Sequence, residues 1–600
     1  QVKDGQKALE ALDQALALAP DSAPALLLYG ELCLAANRHA DAAQAFFRRI
    51  ELGGDSRELA ALHHRLGALL QDPLGDPGRA TAHLQTALSV DPRNLDALER
   101  LGTIHLTTRN WSGAADAYRR LVEADPDPKR LSRHLATFAY IAEEGFGEHA
   151  AAATHYKRAL DLAPSDAAIM DKLAALYEKL GKLDELSGLL EKQALDAAAA
   201  GDKTRALTLR MRSGELWARQ GDRIKAVQNY RFAVELAPES VPARAALADL
   251  LSKDPGAAPA AIEEHRNLLK LDPFRLESYH VLYRLFANSR QLDRAVCAGH
   301  VLSFCKALTE SEVASFSEAR GRVPQETTEV LGADQLDLVL QHPSARQPLS
   351  DIMRALGDQL HKLVDPGLDV LGVGRSDRLK QDNALYRAVK APCSAFGIDK
   401  FDVYLSKRGV QLSLVNTDPL GIVIGSEFVR RYNQREQKFL LARAAFNLRN
   451  KMALAQKLEA GRLADLIGNA VRIALPEFDR LGTPDPETSK KIRKAMSGKA
   501  LKLLEPAARE LAESKSIDLK AWLQACNWSA DRAGLLLAGD ISVALQLMLR
   551  EDPSITGVRL DSPEQIVAAL RKRRDMFEVV AFILSDDHLK LRTRLRLSLS

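Results

Sequence analysis

Cysteine is scarce in this 600-residue sequence. The few cysteines form an odd-numbered set that is scattered along the chain: Cys33, Cys297, Cys305, Cys393 and Cys526. Small disulfide-rich scaffolds instead carry dense, even-numbered sets of cysteines. The pattern argues against a disulfide framework and favours a reducing compartment, so we expect a cytoplasmic protein.

Aromatic residues, net charge and long apolar runs are also limited. Aromatic residues make up 5% of the chain although 46% of it is hydrophobic, and this excess of small and aliphatic residues is typical of closely packed helices. The net charge of +4 comes from 83 basic and 79 acidic residues, which is too balanced to attract nucleic acid or an anionic membrane. No apolar run reaches about 18 residues and no leader pattern is present, so these residues predict no membrane span.

What the sequence does contain is a motif that returns about every 34 residues. Its clearest copy lies within residues 207–240 and consists of Gly214, Trp217, Gly221, Ala226, Tyr230, Ala233 and Pro238. Two further close copies place Gly102, Ala114, Tyr118 and Pro126, and then Ala152, Tyr156, Ala159 and Pro164, at matching positions. With weaker copies, about nine cover residues 1–322. These spacings strongly resemble the tetratricopeptide repeat, a pair of helices called A and B.

Each position of the motif has a physical role. A small residue lets helices A and B approach, a large residue fills the gap between neighbours, and proline stops helix B. The first segment contains only a B-type helix with Ala8, Ala15 and Pro20 in phase, so we expect the given chain to begin inside a repeat. A stack of such pairs predicts an α-solenoid with a long groove lined by the A helices.

The resemblance implies that the groove binds peptides or helices of other proteins. On the family pattern, the groove residues would be charged side chains of the A helices, namely Arg65, Glu99, Arg100, Lys172 and Arg212. The alternative is that each is simply a solvated surface charge. Family members that bind chaperones clamp a terminal carboxylate with Lys and Asn, but the corresponding positions here hold His64, Glu99, Asp171 and Met211, followed by Ala68, Thr103, Ala175 and Glu215. That clamp is not predicted, and the partner stays unidentified.

The repeat rhythm stops near residue 322. Residues 323–345 are rich in Pro, Gly and polar residues and predict a linker or adapter with one short helix. Residues 346–600 then predict an α+β domain with a small sheet among helices: an amphipathic helix at 349–364, three strands at 401–407, 410–416 and 421–428, and further helices from 434. The fold class is therefore mostly α, a tetratricopeptide-repeat solenoid followed by an α+β domain.

The order of elements in residues 346–600 resembles the HExxH zinc metallopeptidases related to prenyl-protein endopeptidases and heat-shock membrane proteases. In that family one helix carries HExxH and a later helix carries a Glu ligand in an ExxxD motif. Carried onto this sequence, the two His ligands fall on Arg443 and Asn447, the catalytic Glu on Ala444 and the third ligand on Asn527, while Asp531 matches the motif. The resemblance therefore implies a degenerate site.

The residues at these positions cannot support the family's chemistry. A guanidinium donates no electron pair, alanine has no basic group and amides are poor zinc ligands. We predict a domain without metal, cofactor or peptidase activity, in which Arg443 pairs with Asp531 where zinc would lie. The alternative is an unrelated α+β domain with no such site.

Two other clusters carry potential chemistry. Cys297, His300 and Cys305 have atom types that zinc prefers, but no fourth ligand lies nearby in sequence, and core packing is favoured. The basic runs beginning at Arg571 and Arg592 have acidic neighbours and lack interleaved aromatics, so solvated helical faces are favoured over nucleic-acid binding.

The leading functional prediction is a non-catalytic scaffold that binds other proteins in its groove, with an inactive C-terminal domain as a second docking or capping module. The alternative is a metallopeptidase-like hydrolase or regulator of proteolysis to which the repeats deliver substrate. That alternative depends on fold resemblance alone.

Overall fold

The structure of the protein is a computed structural model that describes residues 2–364, 367–409, 412–415, 419–551, 555 and 560–599. It confirms the predicted fold class: 73% of the chain is helical, and a small three-stranded sheet lies near residues 402–425. Within the described ranges, no helix is both long enough and apolar enough to span a membrane. The chain forms two compact units, 1–238 and 239–600.

The first unit is a succession of helices. They are α1 Val2–Leu18, α2 Ala23–Ala35, α3 His39–Glu51, α4 Ser56–Gln71, α5 Pro77–Val90, α6 Leu95–Thr107, α7 Trp111–Ala124, α8 Pro128–Tyr140, α9 His149–Leu162, α10 Ala167–Lys179, α11 Leu183–Ala199, α12 Lys203–Gln220 and α13 Arg223–Leu236, with a π-helical turn at Ile141–Gly145. Consecutive helices pack in pairs from α2 with α3 to α12 with α13. The even-numbered members are the A helices and the odd-numbered members the B helices.

Small and large residues meet inside the helix pairs. A methyl group added at Gly214 of α12 would lie 2.6 Å from a ring carbon of Tyr230 on α13, and one at Gly102 of α6 would lie 2.8 Å from Tyr118 on α7. Both tyrosines are buried. The glycine of helix A therefore lets the aromatic ring of helix B pack directly on the backbone, as the repeat motif predicts.

The second unit combines helices with the sheet. Its elements are α14 Val241–Leu251, α15 Ala258–Leu271, α16 Leu276–Asn288, α17 Leu292–Phe304, α18 Glu310–Gly321, α19 Pro348–Val364, α20 Ala384–Ala395, β1 Asp402–Ser406, β2 Leu412–Val415, β3 Gly421–Gly425, α21 Ser426–Arg431, α22 Gln434–Arg449, α23 Ala460–Ala474, α24 Pro486–Ala495, α25 Gly498–Glu513, α26 Leu519–Leu537, α27 Ile541–Arg550, α28 Pro563–Leu570, α29 Arg574–Ile583 and α30 Asp586–Arg594.

The sheet has the strand order β1-β3-β2, with β1 parallel and β2 antiparallel to β3. Every residue of β3 is buried, which fits its position at the centre of the sheet and its run of β-branched residues. The three predicted strands are present in shortened form. Residues 410, 411 and 416 of the second predicted strand lie outside the described residues.

One large core joins α16–α18, the sheet and the last four helices of the second unit. Residues 323–345, predicted to be a linker or adapter, contribute Val323, Leu331, Leu336 and Leu340 to this core. The segment contains a π-helical stretch at Gln335–Leu340 and a short 3-10 turn. The boundary between the two compact units, at residue 238, does not test where the repeats end. The predicted end of the solenoid at residue 322 therefore stays a prediction.

A second core lies beneath α19 and α23–α26. Trp522 on α26 is completely buried there, and its indole N–H donates to the hydroxyl of Ser350 at the start of α19. The two cores contact different halves of α26, since Trp522, Ala525 and Cys526 of its N-terminal half belong to this second core, whereas Ala530, Ala533 and Leu536 of its C-terminal half belong to the large core. Helix α26 is therefore the central element of the second unit.

Candidate functional site

The five predicted groove residues all lie on A helices of the first unit. Arg65 is on α4, Glu99 and Arg100 are on α6, Lys172 is on α10 and Arg212 is on α12. All except the half-buried Arg100 are exposed. The repeat pattern therefore places them on equivalent elements, where side chains of successive A helices are neighbours.

Ion pairs connect A helices of successive repeats. Arg65 donates to Glu31 on α2 over 2.7 Å, and Arg212 donates to Glu178 on α10 over 2.6 Å. In each pair the two residues are 34 positions apart, which is the length of one repeat. Exposed pairs of this kind contribute about 0–1 kcal/mol each, so they align the face more than they stabilise it.

The same arrangement continues in the middle of the unit. Arg100 donates to Asp72 at the end of α4 over 2.7 Å, while Glu99 lies 3.7 Å from Arg130 on α8. Partial burial acts to raise the pKa of Asp96, but the Arg100 guanidinium and His64 overcome it and lower that pKa. The A helices thus carry a row of basic and acidic side chains that pair between neighbouring helices, and we call this row the charge ladder.

Lys172 is the exception among the five groove residues. No ion pair joins it to another residue in the part of the chain that the structure describes, and it is exposed. Its helix neighbour Asp171 lies 3.9 Å from Arg205 on α12. The sequence analysis considered these charges one at a time and missed their pairing. The spacing of 34 positions between each arginine and its acidic partner could have predicted the two ion pairs.

A buried polar network joins the last three helices of the first unit. The Glu191 carboxylate on α11 accepts hydrogen bonds from Ser213, Trp217 and Asn229 over 2.8–3.1 Å, and Arg210 donates to the same asparagine. Burial acts to raise the pKa of Glu191, but these three donors outweigh it and lower that pKa. The network fixes the packing of α11–α13, and the sequence pattern gave no sign of it.

In the second unit the two predicted motif helices, α22 and α26, pack against each other. The Nε atom of Arg443 lies 2.8 Å from Oδ1 of Asp531, but its N–H is not directed at that oxygen as in a hydrogen bond. Burial raises the pKa of Asp531 against the opposing effect of Arg443. The predicted charge pair is therefore present as an ion pair with poor hydrogen-bond alignment.

The other three positions that the resemblance assigns to the site lie near this pair. Asn447 and Asn527 line one cavity of about 320 Å³ together with Cys526. Ala444 is buried in the large core. Within the described ranges, no group of three or more His, Cys, Asp or Glu side chains could hold a metal ion. The helix pair thus presents amides and one ion pair at these positions.

The remaining sequence clusters have structural partners. Cys297, His300 and Cys305 are buried in the core, as predicted. The prediction of a solvated face for the run beginning at Arg592 is wrong at that residue. Its side chain is 4% exposed and donates twice to Asp293 on α17, over 2.8 and 2.9 Å. A buried acid on a distant helix supplies the missing counter-charge.

Comparison with known proteins identifies the repeats. The sequence matches the tetratricopeptide repeat family model at residues 3–57 and 68–127. No curated protein matches the chain.

Several solved structures are similar to parts of the chain. MamA is 22% identical, with 28% of this chain and 92% of that chain covered and a TM-score of 0.24. The C-terminal part of a TPR repeat-containing protein from Cytophaga hutchinsonii is 15% identical, with coverages of 41% and 95% and a TM-score of 0.29. YrrB, described as a TPR protein with an unusual peptide-binding site, is 20% identical, with coverages of 34% and 96% and a TM-score of 0.24. Likeness at this level carries no inference about function. The family match nevertheless establishes that the first compact unit contains tetratricopeptide repeats.

Proposed function

We propose that the protein is a scaffold that binds peptides or helices of other proteins on the A-helix face of its first unit. The observation that carries the proposal is the ladder of exposed charges on successive A helices, from Arg65 on α4 to Arg212 on α12. Stacked repeats present such faces as one continuous surface. Surface ion pairs are weak, so a partner with both charge signs can replace them at little cost.

The C-terminal part of the chain is, in this proposal, a non-catalytic second docking or capping module. The order of α22 and α26 resembles that of the motif helices of HExxH peptidases, and Arg443 and Asp531, which the resemblance assigns to a His ligand and to the ExxxD aspartate, lie 2.8 Å apart. The donor set argues against hydrolysis, because Ala444 offers no general base and Asn447 and Asn527 are amides. The domain would then bind without reacting.

A reducing, cytoplasmic setting also belongs to the proposal. All five cysteines are free and buried. Burial raises the pKa of the Cys297, Cys305, Cys393 and Cys526 thiols to about 12. Such thiols stay protonated and unreactive, which fits a structural role for the cysteines.

Peptide binding tests the scaffold proposal. Peptides selected from a displayed library against the full chain are labelled, and their affinity is measured by fluorescence anisotropy. The variant R65A/K172A/R212A removes three A-helix charges and should weaken binding about tenfold or more, since each contact is worth roughly 0.5–1 kcal/mol.

The matched control is R119A/K157A/R231A, which removes three exposed charges from the B helices α7, α9 and α13. Its affinity should stay within about twofold of the parent protein, because surface substitutions away from a binding face have small effects. Equal losses in the two variants would contradict binding on the A-helix face.

Zinc content tests the C-terminal part of the proposal. The purified protein is incubated with zinc, desalted and measured by elemental mass spectrometry, and we expect fewer than about 0.1 zinc ions per chain. A value near one zinc per chain that is lost in the variant N447A/N527A would overturn the degenerate-site assignment and favour the metallopeptidase-like alternative.

A further inference from the structure

We propose that the second unit has a binding site for a small, multiply charged phosphate ligand in a cavity between the N-terminal half of α26 and the turn from α28 to α29. The cavity has a volume of about 550 Å³ and is lined by Lys520, Trp528, Lys572, Arg573 and Arg574, among others. Sites for small molecules generally have volumes of about 300–1,000 Å³. The cavity is therefore large enough for a phosphorylated small molecule.

The charges around this cavity are unbalanced. Four basic side chains meet one carboxylate, that of Asp575, which Arg573 already binds through two hydrogen bonds. Lys520, Lys572 and Arg574 form no ion pair with a carboxylate in the described part of the chain, and all three are exposed. The Glu578 carboxylate lies near enough to Arg574 for the arginine to lower its pKa, but Lys520, Lys572 and Arg574 together still favour a ligand with several negative charges.

The sequence predicts a solvated helical face for the basic run beginning at Arg571, and Arg571, Lys572 and Arg574 are exposed. The structure also divides the run among different partners. Arg571 donates to Asp272 over 2.6 Å, and Arg573 is held by Asp575. Lys572 and Arg574 are left to line the cavity opposite Lys520 of α26. The cations therefore come from two separate elements and converge.

A buried donor lines the same cavity. Trp528 is 7% exposed, and its indole Nε1 has no hydrogen-bond acceptor among the described residues. A buried donor without a partner costs about 1–3 kcal/mol. The His342 ring lies 4.9 Å from the Trp528 ring, and the Arg574 guanidinium lies 5.8 Å from it. These contacts hold the indole ring at the cavity wall, while its N–H faces the protein interior and away from solvent.

Phosphate oxygens can pair with Lys520, Lys572 and Arg574 at once. Arginine donates to phosphate in a planar fork, and lysine supplies a point charge. Gln524 and Ser344 also line the cavity and add neutral hydrogen-bonding groups. The site recognises charge and oxygen acceptors, and its volume leaves room for an organic group beyond the phosphates.

Pyrophosphate is the probe that tests the site. Its binding to the full chain is measured by isothermal titration calorimetry at neutral pH and low ionic strength, where charge contacts are least screened. The variant K520Q/K572Q/R574Q should weaken binding about tenfold or more, because three charge contacts are removed. The variant W528F keeps an aromatic ring at the cavity wall and removes only the buried N–H, so it should leave the affinity within about twofold.

A matched control separates a built site from general attraction. K490Q/K491Q/K494Q removes the same three positive charges from the exposed face of α24 and should leave the affinity within about twofold. Equal weakening in the two triple variants, or no binding of pyrophosphate to the parent protein at millimolar concentration, would overturn the proposal. Circular dichroism of each variant shows that a loss of binding is not a loss of fold.

Discussion

The buried Asp293–Arg592 pair shows how much one residue contributes in the second unit. Both side chains are 4% exposed, and the carboxylate also accepts the backbone N–H of Leu599. The variant R592L leaves a buried carboxylate without its cation and should cost about 3–5 kcal/mol. The measurement is urea unfolding followed by 19F NMR of fluorotryptophan, since Trp522 and Trp528 report on this unit and Trp111 and Trp217 on the first.

The control for this prediction is R596L. Arg596 is close in sequence, but its side chain is 82% exposed and it pairs with Glu329 at 3.1 Å. Its replacement should cost less than about 1 kcal/mol. Similar losses in the two variants would contradict the view that burial makes the Asp293–Arg592 pair important.

A pairing between distant residues was predictable only where a motif resemblance brought the two residues together. The proximity of Arg443 and Asp531 followed from a motif resemblance, and the ion pair is present. The partners of Arg571 and Arg592 were not predictable, because Asp272 and Asp293 each lie 299 positions away in sequence. The sequence of a basic run therefore does not show which of its side chains will pair with acidic residues that are distant in sequence.

At the scale of helices, the repeat motif predicts packing because small and large positions are local. Gly214 faces Tyr230 across α12 and α13, so the variant G214A forces the ring to move. Overpacking of this kind costs about 1–3 kcal/mol, which exceeds the gain of up to about 1 kcal/mol from replacing a helical glycine. We expect the first unit to lose stability, measured through the 19F signals of Trp111 and Trp217 in urea.

The matched variant G188A should have the opposite sign. Gly188 is inside α11 in the same unit, it is exposed, and nothing lies within 4 Å of an added methyl group. Alanine there should stabilise the unit by up to about 1 kcal/mol, because the flexible glycine is removed from a helix. If both variants change stability in the same direction, the close helix approach at Gly214 is not what sets its cost.

Helices and strands were predicted more fully than the contacts between them. Periodicity and proline positions locate the A and B helices, and the β-branched run at 421–425 locates the central strand. The polar network around Glu191 was not predicted, because its residues are spread over three helices and the type of each residue is also common on protein surfaces. Local pattern determines elements, whereas polar networks depend on how the elements pack.

At the scale of the whole molecule, buried histidines determine how the stability of the second unit responds to acid. Burial lowers the pKa of His265 to about 4 and the pKa values of His300 and His588 to about 3, and all three lie in the second unit. Burial also lowers the pKa values of four half-buried histidines in the first unit, His63, His83, His105 and His155. Acid should therefore weaken the second unit strongly.

The sign follows from which state binds the proton first. Unfolded histidine has a pKa of about 6.5 and takes up a proton between pH 7.5 and 5, whereas the folded His265, His300 and His588 do not. Each should remove about 2 kcal/mol of stability from the second unit over this range. Carboxylates with lowered pKa, such as Asp586, contribute their loss only at lower pH, and Asp531, with its raised pKa, has the opposite sign.

The test is urea unfolding of the second unit at pH 7.5 and pH 5, followed through the 19F signals of Trp522 and Trp528. The variant H265Q can still hydrogen-bond Ser252 or Ser278, which contact the His265 ring in the parent protein, but it cannot titrate. It should reduce the pH-dependent loss by about 2 kcal/mol, the share of one histidine. An unchanged loss in H265Q would mean that His265 takes up its proton in the folded protein, and that its burial does not exclude charge.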